Sequence, residues 1–185
     1  MNLSHTIKMA SVAIALVGCG AQPSRPADQA SVLHGNGDGD CYQGQEFECA
    51  AEKEIFRLNN EYRANAGRVA FAQSGHMGWA ARDWSKQQGA RGSIGHDGFP
   101  DQRTSAYKNK FGSMEGVWVA GENVAFYGPS SGQTAEVAGL RLAQMWWNSS
   151  GHRANMLGNY DGVGIGVFKT SRGNVFGTQI FYNRQ

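Results

Sequence analysis

Gly162-Val163-Gly164-Ile165-Gly166-Val167 sets a glycine against a β-branched residue at every second position. A period of two is the signature of a strand, so Val163, Ile165 and Val167 share one face and the other face carries no side chains. Glycine weakens a strand interior, and a whole face of it predicts that another element approaches the backbone closely. Beyond a turn at Thr170-Ser171-Arg172-Gly173-Asn174, the run from Val175 to Tyr182 reads as the antiparallel hairpin partner. Upstream, Val117 to Ala120 reads as a third strand entering Gly121-Glu122-Asn123.

Three segments carry helical periodicity instead. From Glu52 to Ala66, the residues Ala51, Ile55, Leu58, Tyr62 and Ala66 form one apolar face, and Gly67 stops the helix. From Gly75 to Gln88, Met77, Ala80, Ala81 and Trp84 share a side. From Ala135 to Asn148, Ala138, Leu142, Met145 and Trp146 align, with Thr134 placed to cap and Glu136 set favourably against the helix dipole. Gly98 to Gly116 reads as a long loop. The pattern predicts an α+β fold, a three-layer α-β-α sandwich around a small antiparallel sheet.

The N-terminus has a different character. Lys8 precedes a short apolar run, Met9 to Val17, too short to span a bilayer and suited to a signal-peptide core over residues 1–18. Leu16-Val17-Gly18-Cys19 resembles the bacterial lipoprotein signal, in which cleavage exposes Cys19 and acyl chains on it make a stable membrane anchor. Residues 19–50 read as the lipidated end and a tether, since Pro23, Pro26 and the run Gly35 to Asp40 offer little to bury. Asp38 and Asp40 do not complete a calcium loop. Cys41 and Cys49 are left as an even pair in an exported setting and are expected to form a disulfide. Residues 51–185 then make one domain. The formal net charge is +2 and there is no basic stripe, which argues against a nucleic-acid partner.

Chemistry concentrates in three Gly-punctuated segments: His96-Asp97, Gly121-Glu122-Asn123-Val124-Ala125, and Trp146 to Leu157 with His152, Arg153 and Asn155. Two imidazoles and a carboxylate can coordinate a divalent metal such as zinc with a position open for water. Equally, Glu122 can accept hydrogen bonds from both rings, giving a metal-free base or a polar lock between segments. A His-Glu-x-x-His helix is absent. Ser149 and Ser150 lack a nucleophile elbow and read as caps for the turn at Gly151. Arg153 and Asn155 are expected to bond loop carbonyls or the Glu122 region. Asn123 is expected to fix a Gly-Glu-Asn turn. Trp118, Tyr127 and Trp147 read as core or as groove walls. His76 and His34 have no assigned role.

The order His96-Asp97, Gly-Glu-Asn-Val-Ala, Trp-x-x-Ser-x-Gly-His-Arg-x-Asn-x-Leu, Gly-Val-Gly-x-Gly and Thr178-Gln179-Ile180-Phe181 resembles the CAP superfamily of cysteine-rich secretory, antigen 5 and pathogenesis-related proteins, in its bacterial SCP-like branch. The resemblance spans Ala51 to Tyr182. It implies an α-β-α sandwich with a cleft lined by His96, Glu122, Asn123, His152 and Arg153. The histidine that eukaryotic members carry before the Thr-Gln pair is replaced by Phe176 or Gly177, and Ser149 or Ser150 stands near a second expected glutamate. His152 is therefore inferred to supply the second imidazole. The function implied is an exported, lipid-anchored protein of the bacterial cell envelope, at the outer membrane or periplasmic face. It would bind a lipid, peptide, glycan or envelope polymer; the alternative is a hydrolase using His96, Glu122 and His152, with or without metal. Family members have been linked to sterol or lipid binding and to proteolysis.

Overall fold

The computed structural model describes residues 45–185. The expected signal segment, the expected lipid on Cys19, the tether, and Cys41 of the expected disulfide lie outside the described residues. Cys49 itself is buried near the start of the first helix. Among the described residues, no helix is long and apolar enough to cross a membrane.

The elements in chain order are α1 (Glu46–Asn65), β1 (Ala72–Gln73), α2 (Gly75–Arg91), α3 (Asp101–Phe111), β2 (Val117–Tyr127), α4 (Ala135–Asn148), α5 (Ser150–Met156), β3 (Gly162–Lys169) and β4 (Val175–Arg184). They form a mixed α+β sandwich around a four-stranded sheet of order β1-β3-β4-β2. β3, β4 and β2 are antiparallel, as the hairpin reading requires, and β1 adds a two-residue parallel edge. A strand that short has no period to detect.

The bare face of β3 is filled by α2. A Cβ on Gly166 would collide with the backbone of Ala81 and Arg82, and one on Gly164 with that of Met77 and Gly78. The helix can come this near because it presents Gly78, Ala80 and Ala81 to the sheet. Its start is capped by Ser74 Oγ, which accepts from Met77 N at 3.2 Å, and Gly92 ends it at a φ of 72°. Ser85 Oγ then donates to Gly166 O at 2.9 Å, binding helix to strand.

On the opposite face, Val163, Ile165 and Val167 meet Ala51 and Ile55 of α1 and Ala138, Leu142 and Trp146 of α4, all essentially buried. Full burial of a side chain such as Leu142 contributes about 2–3 kcal/mol. Helix α1 begins at Glu46 rather than Glu52: Phe47 packs on the core, Glu46 and Glu48 favour the N-terminal turn, and Glu48 Oε1 accepts from Lys169 N at 3.2 Å. Glu52 accepts from Val167 N at 2.8 Å and pairs with Arg82 of α2, so α1 is pinned along the free part of β3. Burial pushes the Glu52 carboxyl up, against the lowering effect of Arg82.

Two expectations change. The segment from Gly98 to Gly116 is not a loop, because α3 occupies most of it. The strand expected to end at Ala120 runs on to Tyr127, so Glu122 and Asn123 stand in β2 rather than in a turn.

Candidate functional site

β2 is an edge strand, and a bulge decides what it displays. Register shifts between Val119 and Gly121, leaving Ala120 unpaired, so Val119 and Glu122 both fall on the α2/α3 side. Strict alternation would have turned Glu122 into the apolar layer under α1 and α4. Asn123, next in line, faces that layer instead.

Glu122 is buried, its side chain only 1% exposed, and its carboxylate is fully engaged. Arg103 of α3 donates from Nε to Oε2 at 2.6 Å and from Nη2 to Oε1 at 2.9 Å, a bidentate pair. His96 Nδ1 is 2.8 Å from the same Oε1. With the Arg103 guanidinium donating to both oxygens, the carboxylate is the acceptor and His96 Nδ1 the donor in that bond. The other ring nitrogen, Nε2, is then the one left to a ligand, on a side chain 51% exposed.

Arg103 is itself fixed on three sides. Its guanidinium lies 3.4 Å from the Trp84 ring centroid, and Nη1 donates to Asp97 O at 3.0 Å. The turn bearing His96 is clamped through Gly95, whose N–H donates to Gln88 Oε1 at 3.0 Å while its carbonyl accepts from Trp84 Nε1 at 3.2 Å. Gln88 in turn donates to Thr178 Oγ1 at 3.2 Å. His96 is thus exposed but mounted on a buried frame.

His152 arrives from α5, beside the same edge. Its placement depends on Asn123, whose Nδ2 donates to His152 O at 3.0 Å and to Gln179 Oε1 at 2.8 Å. Asn155 Nδ2 donates to Glu122 O at 3.2 Å and Asn123 Oδ1 at 2.9 Å, seating α5 on β2. Burial pushes the His152 ring below the usual histidine pKa, and the nearby His96 charge pushes the same way.

Of the expected site residues, His96 and Glu122 are joined directly, and His152 stands near them without bonding to the carboxylate. The picture of Glu122 bridging two imidazoles is corrected: an arginine takes the second place. The zinc arrangement does not fit this donor set, since Arg103 occupies both carboxylate oxygens. Among the described residues, no group of three or more His, Cys, Asp or Glu is placed to hold a metal ion. Arg153 donates to Trp147 O at 3.0 Å, closing the α4–α5 corner. Asn123 bridges strand and helix rather than fixing a turn. Ser149 occupies the N-cap of α5 without a side-chain capping bond. Trp147 stacks on Tyr62 at 4.5 Å, Tyr127 is buried, and Trp118 is 45% exposed near the start of β2.

Arg103 is the residue that the sequence did not single out. The available signal was a helix start at Pro100-Asp101, basic residues at Lys108 and Lys110, and a stop at Gly112, which together would have placed Arg103 and Tyr107 four apart on one helix face.

A model of the cysteine-rich secretory protein family, CAP, matches residues 56–181. Among solved structures, the chain is similar to an extracellular protein containing a SCP domain from Bacillus anthracis str. Ames, at 23% identity and a TM-score of 0.57 over 78% of this chain and 45% of that one. An outer surface protein from Borrelia burgdorferi gives 16% identity and a TM-score of 0.55, over 73% of this chain and 93% of that one. A cysteine-rich secretory protein from Staphylococcus aureus gives 15% and 0.50, over 75% and 40%. The chain therefore spans under half the length of the Bacillus and Staphylococcus proteins, and these likenesses speak to the fold. No curated protein sequence matches the chain.

Proposed function

Because the chain belongs to the cysteine-rich secretory protein (CAP) family, we propose that it is an exported protein of the bacterial cell envelope, anchored by lipid on Cys19, that binds a ligand or envelope partner in the cleft at the edge of β2. The observation that carries this is the fate of Glu122. Its carboxylate is paired with Arg103 and spent on orienting His96, so it holds the site in shape and is not free to attack. What remains for a ligand is His96 Nε2 and the His152 ring, one exposed and one half-buried, at an open sheet edge. Polar groups of that kind, few and fixed, serve recognition. Export and the anchor rest on the N-terminal signal pattern, and the extracellular and surface character of the similar bacterial proteins supports export.

One feature favours a second reading, that of a hydrolase. An imidazole whose Nδ1–H is held by a buried carboxylate is poised as a general base through Nε2. Among the described residues, no hydroxyl or thiol nucleophile is bonded to that ring, so a base of this type would have to act on water or on the ligand itself.

The test uses the full-length chain in detergent, screened by thermal shift against phospholipids, peptides and glycans, with hydrolysis of each followed in parallel. Binding without turnover, lost on both His96→Ala and His152→Ala, is expected. Turnover abolished by His96→Ala would replace the binding reading with the hydrolase. Retention of every ligand by both variants would remove the cleft from the function. For the anchor, labelled fatty acid should enter the chain and fail to enter Cys19→Ser.

A further inference from the structure

The α2/α3 layer has a second concavity, on the side away from the sheet. Arg103 and Tyr107 are the inward pair of α3, which leaves Asp101, Ser105 and Asn109, at four-residue steps, as a polar stripe on another face. Across from it, α2 presents Trp79 and Asp83, also four apart. Between the stripes runs an open groove of about 590 Å³, inside the range of small-ligand sites. It touches neither Glu122 nor either histidine of the β2 edge.

The lining defines the kind of molecule it suits. Trp79 and Phe111 meet in a T-shaped pair at a centroid distance of 5.6 Å and an interplanar angle of 85°. The Lys110 ammonium lies over the indole, 5.8 Å from its centroid. An aromatic plane fixed in this way offers a stacking surface in a wall otherwise mostly polar, with a hydroxyl, the amides of Gln87, Gln102 and Asn109, and two carboxylates, of which Asp83 accepts from Gln87 Nε2 at 2.8 Å through one oxygen. Ser105 and Asn109 make no side-chain hydrogen bond to other described residues, so their donors and acceptors are available. Two carboxylates against one ammonium disfavour a phosphate or other polyanion. The polar stripes on both walls disfavour an acyl chain. A neutral sugar answers both faces of the chemistry: its axial C–H surface stacks on an aromatic ring and its hydroxyls bond planar acids and amides.

We propose that this groove binds a short neutral glycan, one pyranose ring stacked on Trp79 and its hydroxyls bonded by Asp83, Ser105 and Asn109. The site is independent of the β2 cleft. In an envelope protein it would hold the domain against polysaccharide while the cleft engages its own ligand.

The full-length chain in detergent is titrated with chitotriose, cellotriose and maltotriose, read by calorimetry and by tryptophan fluorescence. At least one trisaccharide should saturate. Asn109→Ala should weaken it about tenfold, and Trp79→Phe, which keeps the packing on Phe111, should weaken it several-fold. His96→Ala should leave it unchanged. No saturation by any of the three up to roughly 10 mM would overturn the proposal. So would affinity indifferent to Asn109→Ala, Ser105→Ala and Asp83→Ala. Affinity lost only in His96→Ala would also overturn it, and would place the sugar in the β2 cleft in support of the functional reading above.

Discussion

Replacing Arg103 with methionine tests whether the arginine, and not the histidine, is what permits Glu122 to be buried as an anion. Methionine fills much of the same volume but removes a bidentate pair, the stack on Trp84 and the bond to Asp97 O. Removing one partner of a buried ion pair costs about 3–5 kcal/mol, most of it the penalty of leaving the other charge uncompensated. In a domain of this size each kcal/mol moves the melting temperature by roughly 3–4 °C, so a fall of roughly 10–20 °C is expected at neutral pH. The decisive measurement is the cycle, by urea denaturation of wild type, Arg103→Met, Glu122→Gln and the double variant. If the penalty belongs to the orphaned charge, Glu122→Gln should restore about 1–3 kcal/mol in the Arg103→Met background while costing stability in the wild-type background. Additive losses, or a loss of under about 1 kcal/mol for Arg103→Met, would refute the reasoning.

Gly166→Ala should cost about 1–3 kcal/mol or more by denaturant unfolding, because the new methyl meets the backbone of Ala81 and Arg82, which cannot yield as a side chain tip can. Arg63 is buried, donates to Val69 O at 2.7 Å, Met156 O at 2.8 Å and Gly158 O at 2.9 Å, and is pushed by burial down to about 10; Arg63→Met should cost about 2–4 kcal/mol, and Arg63→Lys should recover only part of it. His152 should titrate below the usual histidine value in NMR spectra. Its unfolded form takes up a proton before the folded one does, so its contribution to stability is neutral above about pH 6.5 and turns unfavourable as pH falls through that value. A His152 titration at or above 6.5 would contradict its burial, and His152→Gln should flatten this part of the stability profile.

Most of the architecture was legible because it is written in periodicity. The glycines of β3 announced a close neighbour before that neighbour, α2, was known, and α4 buries Ala138, Leu142 and Trp146 and takes its Thr134 cap where the apolar spacing put them, with Met145 of the expected stripe left exposed. What was not legible lacks a repeat. Helix α3 buries only Arg103 and Tyr107, so it has no apolar stripe, and a run rich in charge and glycine boundaries reads as loop. The bulge at Ala120 leaves no mark in Val119-Ala120-Gly121, yet it alone puts Glu122 on the α2/α3 side. His96 and Glu122 could be named from their motifs; their third partner could not, because a single arginine among seventeen lysines and arginines is identified only by what it touches.

That third partner changes what two imidazoles and an acid can mean. With both oxygens free, Glu122 would be a metal ligand or a base, and the triad would belong with hydrolytic sites. With Arg103 locked across it, the carboxylate's charge is already answered, and any cation entering the cleft would have to compete with a guanidinium that cannot be deprotonated at physiological pH. The acid then acts through His96, fixing one tautomer and one orientation. His152, kept neutral by burial, adds a second polar ring without adding charge. A site so arranged discriminates by where its hydrogen bonds point.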